Sequence, residues 1–236
     1  MSGGVACARA VALAAALAVA GAGALWAQPA PPAGGAPAAP SASDVKPYQV
    51  EGFRSAKFGM DEAAVKRAIQ ADFNVKDSAI SKEVNPVDRT TILSITAKDV
   101  LPEISVSRIH YIIGYSQKKL FQVVLVWGAG ASETTASNTS VLGGAQELLN
   151  YFVGQSFKPE NRIVNAQLSD GNALLFQGAD EKGRVVQLQY GTVPEPPRKG
   201  ETPDPSKTPP RIPYGRLVYV EDPKNLDIFR IKPGQF

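Results

Sequence analysis

Apolar side chains recur at helical spacing in two stretches of this chain and alternate with polar ones in seven others. Val65, Ala68, Ile69 and Phe73 share one face at a period near 3.6, which predicts a helix over 62–72 with Asp61 as its cap. Val141, Ala145, Leu148, Leu149 and Phe152 repeat the pattern behind Ser140, a second capping residue, with Gly154 as the stop. Gly143 and Gly144 weaken the first turn of that helix. Segments rich in β-branched and aromatic residues predict strands over 90–97, 106–115 and 120–127, then over 162–168, 172–178 and 184–190. Ser169-Asp170-Gly171 and Asp180-Glu181-Lys182-Gly183 are turn sequences between the later ones. A last strand is expected over 216–220, whereas 74–88 is charged and carries no period.

These elements predict an α+β fold: an antiparallel sheet of about six or seven strands with two helices on one face. One helix and three strands occur twice, about 79 residues apart from Asp61 to Ser140. Residue identity between the halves is poor, so this is either a duplicated α-β-β-β unit by architecture or a coincidence of order. Alternation assigns Ile109, Tyr111, Ile113 and Tyr115, with Phe121, Val123, Leu125 and Trp127, to one apolar face beneath the helices. The opposite face then carries Arg108, His110, Ile112, Gln122, Val124 and Val126. That is more apolar than a solvated face requires. It reads as a partner-binding surface, as a surface covered by another part of the chain, or as ordinary exposure of aliphatic groups.

The N-terminus changes the picture. Arg9 is followed by an apolar run from 10 to 20, too short for a bilayer span and suited to a signal-peptide core. Small residues offer cleavage after Ala24 or after Ala27, and Gln28-Pro29 suits a mature start. Residues 1–27 are therefore expected to be a signal peptide. Residues 28–46, almost all Pro, Ala, Gly and Ser, are expected to be a disordered linker. A single α+β domain should occupy 47–236, interrupted at 194–213 by an excursion with eight prolines. Proline cannot donate to a ladder, so that excursion is expected to be extended and not a central strand. It reads as a docking arm, with Arg198, Lys199, Lys207 and Arg211 as contacts, or as a long loop stiffened by proline.

Charge and chemistry narrow the function classes. Loss of Arg9 leaves 24 basic against 22 acidic side chains, too even to imply a nucleic-acid partner. The only cysteine, Cys7, precedes the apolar core, so the mature chain is expected to have no disulfide, thiolate metal site or cysteine nucleophile. His110, the only histidine, lies mid-strand with no acidic residue at i±2, and no Gly-x-Ser-x-Gly elbow accompanies it. The pairs Asp61-Glu62, Asp180-Glu181 and Glu221-Asp222 sit at a helix start or at turns, where capping and solubility account for them. Gly128-Ala129-Gly130 lacks the Gly-Lys-Ser/Thr of a phosphate loop. No cofactor is implied.

Residues Phe58-Gly59-Met60-Asp61-Glu62-Ala63-Ala64-Val65 resemble the opening of the first helix in small bacterial envelope proteins of the BamE-like and β-lactamase-inhibitor-like group. The tandem helix-and-strands order is similar to the inhibitor proteins of that group. The match spans eight residues plus topology. The chain departs from the pattern in lacking a lipidation cysteine and a Gly-x-Pro after the first helix. The resemblance implies a non-enzymatic, protein-binding role in the cell envelope, with an envelope protein as partner and a periplasmic or secreted location. The alternative is a periplasmic hydrolase whose carboxylates meet only in the fold.

Overall fold

The computed structural model describes residues 46–101, 104–131, 137–195, 197, 208–231 and 234. The expected signal peptide, the linker up to residue 45 and residues 198–207 of the proline-rich excursion lie outside the described residues. Helix α1 runs Glu62–Phe73, one residue beyond the predicted end. Asp61 caps it, its Oδ1 accepting the Ala64 N–H at 2.9 Å, and Asn74 closes it in the left-handed region. Helix α2 spans Asn138–Val153 and starts earlier than expected. Ser137, not Ser140, is its cap: the Ser137 Oγ accepts the Ser140 N–H at 3.1 Å, so Ser140 already belongs to the first turn.

Among the described residues, ten strands form a two-stranded hairpin and an eight-stranded antiparallel sheet. The hairpin pairs β1 (Gly52–Phe53) with β2 (Ala56–Lys57). The sheet contains β3 (Ser81–Val84), β4 (Thr91–Leu101), β5 (Ile104–Ile113), β6 (Leu120–Gly128), β7 (Arg162–Gln167), β8 (Ala173–Ala179), β9 (Val185–Pro194) and β10 (Arg211–Val220). Their order across it is β3-β4-β5-β6-β10-β9-β8-β7, so two four-stranded meanders meet where β6 pairs antiparallel with β10. The expected count of six or seven was short by β3, an exposed edge strand lying within 74–88. Its four residues are all exposed, so no burial imposed an apolar alternation on them.

The proline-rich segment is also corrected. Strand β9 extends to Pro194, and β10 begins at Arg211 and includes Pro213 opposite Thr192. The β6 ladder begins only at Tyr214, so the missing N–H of Pro213 costs no bond to β6. Its carbonyl still accepts the Ala129 N–H at 2.9 Å.

One hydrophobic cluster joins Val65 and Ile69 of α1, Ala145 and Phe152 of α2, and the sheet residues Ile109, Tyr111, Val123, Leu125, Leu188 and Leu217. The expected face is right through most of β5 and β6. It fails at their turn, where the register shifts between Ile112 and Ile113. Ile113 pairs with Leu120, so Leu120 takes the inward place expected for Phe121. Tyr115 lies beyond β5 and packs edge-on against Phe229, their ring centres 5.4 Å apart.

Trp127 is the largest side chain in the core. Its Nε1–H donates to the Val141 carbonyl at 3.0 Å, tying β6 to α2. The expected weakness at Gly144 has a packing reason, since a Cβ there would run into the Ile104 side chain. Asp180, 6 % exposed, joins the N-terminal segment to the β8–β9 turn. Its carboxylate accepts the backbone N–H groups of Val50, Lys182 and Arg184 at 3.1, 2.8 and 3.0 Å.

Candidate functional site

Strand pairing sets the six candidate residues side by side on the sheet face opposite the main core. Arg108 is opposite Val126, His110 opposite Val124, and Ile112 opposite Gln122. Strand β10 continues these rows with Arg216 beside Val126, Val218 beside Val124 and Val220 beside Gln122. Val124, Val218 and Val220 form a second small cluster, against which Ile112, Val126 and Leu226 pack. No helix residue belongs to it.

The face is therefore sorted by depth. Val124 is 6 % exposed and forms the floor with Val218. His110, Ile112, Gln122 and Val126 are partly buried, and Arg108 is exposed. Part of the cover comes from Leu226 in the segment after β10. That segment is fastened by the Asp227 carboxylate, which accepts the Ser116 and Gln117 N–H groups at 2.9 and 2.8 Å. Arg89 lies over the Phe229 ring at 3.9 Å and holds its far end.

His110 hydrogen-bonds Ser94 through Nδ1 at 2.7 Å across β4 and β5. Burial holds its pKa below the usual histidine value. Arg108 and Arg216 push the same way, and Glu83 opposes them. Arg108 and Arg216 flank Val126 and take part in no ion pair among the described residues. The sequence reading missed Arg216, Val218 and Val220. Their alternation within 216–220 was visible, but not their neighbours, because β10 meets β6 across some ninety residues of chain.

Two cavities lie elsewhere. The first, about 500 Å³, opens between α2 and the segment 48–57 over the inner faces of β6 and β10. Leu125, Leu217 and Tyr219 contribute from the sheet, Leu148, Tyr151 and Phe152 from α2, and Tyr48 and Phe53 from the N-terminal segment. Tyr48 is raised above the ordinary phenol range by burial and by the nearby Tyr151. Tyr219 is raised still further by burial.

The second cavity, about 430 Å³, is polar and is lined by Phe121, Lys182, Arg184, Glu221, Asp222 and Asp227 among others. Burial raises the Glu221 carboxyl, and Arg184 opposes that shift. Asp222 accepts the Lys224 and Asn225 N–H groups and closes a turn, while Asp227 holds the 116–117 backbone. Two of the three carboxylates are thus committed to local structure. No helix among the described residues is long and apolar enough to cross a membrane. Comparison with family models, with curated proteins and with solved structures finds no match for this chain.

Proposed function

We propose that this chain is an exported, non-enzymatic protein-binding module of the bacterial cell envelope, working through the helix-free face of its sheet. The observation that carries the reading is the row Arg108–Val126–Arg216, in which two guanidinium groups without acidic partners among the described residues flank an aliphatic strip. Desolvated apolar area bordered by unpaired cations favours a protein partner that brings an apolar ridge edged by Asp or Glu. The BamE-like and inhibitor-like resemblance at residues 58–65, together with the signal-peptide pattern expected over 1–27, supports an envelope location.

The test is affinity capture from envelope extract with the mature chain, run beside an Arg108→Glu/Arg216→Glu variant. The wild type should retain a partner that the variant loses, and raised salt should weaken that capture. Identical capture by a folded double variant would overturn the proposal. N-terminal sequencing of exported material should begin at Gln28, and a start at Met1 would refute export by a cleaved signal.

A further inference from the structure

The cavity between α2 and the 48–57 segment lies on the helix-covered side of the sheet, away from the proposed docking face. We propose that it is a binding site for a small, uncharged aromatic molecule carrying one hydrogen-bonding group. Its volume, about 500 Å³, falls in the range of small-ligand sites and far exceeds that of a packing void.

Its walls are aromatic. Phe152 meets Tyr48 and Tyr219 at ring-centre distances of 6.4 and 6.5 Å in edge-on geometry, and Phe53 meets Tyr219 at 5.9 Å. Rings in such arrangements leave faces and edges that a further ring extends favourably.

The charges at the rim are already engaged. Lys57 pairs with Glu51 at 3.6 Å. Arg54 lies over the Phe73 ring at 4.6 Å and donates to the Asp72 carbonyl at 3.2 Å. Glu147 is exposed on α2. Lys57 is thus paired, Arg54 is held by a ring and a carbonyl, and Glu147 faces solvent, an arrangement that favours an uncharged ligand over a carboxylate or an ammonium.

Tyrosine hydroxyls are left to orient a ligand. Tyr48, Tyr151 and Tyr219 all line the cavity, and Tyr219, on the sheet, is 7 % exposed. A hydroxyl in such surroundings gives a ligand donor or acceptor a fixed partner, and this sets the ligand's orientation.

Titration of the full mature chain with N-phenyl-1-naphthylamine tests the assignment, because this probe is neutral and aromatic, has one N–H, and brightens in apolar surroundings. Saturable binding at one probe per chain is expected. Leu148→Trp should abolish it by filling the cavity, and Arg108→Glu/Arg216→Glu should leave it unchanged. Should Leu148→Trp fail to fold, Tyr219→Phe decides: it should weaken this probe about fivefold, the worth of one neutral hydrogen bond. The same change should leave naphthalene, which has no such group, unaffected. Non-saturable binding, unchanged affinity in folded Leu148→Trp, or equal effects of Tyr219→Phe on both probes would overturn the assignment. Loss of partner capture by the double variant with probe binding intact would leave the two sites separate.

Discussion

Trp127 and Gly215 face one another across β6 and β10, and the indole occupies the space where a Cβ on residue 215 would stand. The two meanders thus join through a large side chain seated on a bare backbone. Gly215→Ala should force the indole from its place and from its bond to Val141. Overpacking of this kind costs about 1–3 kcal/mol. Chemical denaturation of the variant, with tryptophan emission as the probe, checks it; an unchanged midpoint would mean that the indole yields freely.

Leu125 is fully buried on the inner face of β6 and belongs to the cluster shared by both helices. Leu125→Ala should cost about 2–5 kcal/mol, because the removed methyl groups leave a void that rigid neighbours fill only partly. The cost should stand near the lower end, since the aromatic-lined cavity adjoins this residue and already interrupts the packing. Thermal melting measures it, and a near-neutral result would show the face to be wrongly assigned.

The Tyr111 hydroxyl is buried without a hydrogen-bond partner among the described residues, and burial pushes its pKa well above the ordinary phenol range. An unsatisfied buried hydroxyl typically costs about 1–3 kcal/mol, so Tyr111→Phe should be neutral or stabilising. Ordinary loss of a core hydrogen bond would show the opposite sign in the same denaturation experiment.

Asp180 holds three backbone N–H groups and so fixes the 48–57 segment to the β8–β9 turn. Asp180→Ala orphans all three, at a cost of at least about 1–3 kcal/mol. The segment it releases carries Arg54 and Lys57, so tryptic cleavage there should quicken. Unchanged cleavage would mean that Arg184, which donates to the Val50 carbonyl at 3.1 Å, suffices as the fastening.

His110 gives the fold a pH dependence whose sign follows from burial. Its folded pKa lies below the unfolded value of 6.5, so the unfolded chain takes up the proton first. Its contribution is level above the unfolded pKa, and stability falls as pH drops through it, levelling again below the depressed folded pKa. His110→Gln should flatten this limb in melting curves taken between about pH 8 and 5. A constant offset between wild type and variant across that range would assign the limb to another group.

Local chemistry made much of this molecule readable from its residues. Asp61 before Val65, Ala68 and Ile69 marks α1, because a side-chain oxygen at the cap and one apolar stripe are both short-range requirements. The alternation of Ile109 and Tyr111 with His110 and Ile112 marks β5 and sorts its two faces, since successive side chains of a strand point oppositely. The candidate partner surface was half legible for the same reason: the β5 and β6 contributions are neighbours through one turn.

What lay beyond local chemistry was decided by long-range packing. Strand β3 carries only exposed residues, so its pairing with β4, not its own pattern, makes it a strand. The bulge at Ile112 and Ile113 exchanged Phe121 for Leu120, because a register shift changes which residue points inward without changing either residue. Arg216 reached Val126, and Tyr219 reached Phe152, only once β10 had inserted beside β6. Residue spacing records the period of an element and the side it presents. Which elements become neighbours, and so which side chains enclose a cavity or flank a strip, is settled by how the two meanders bury their shared core.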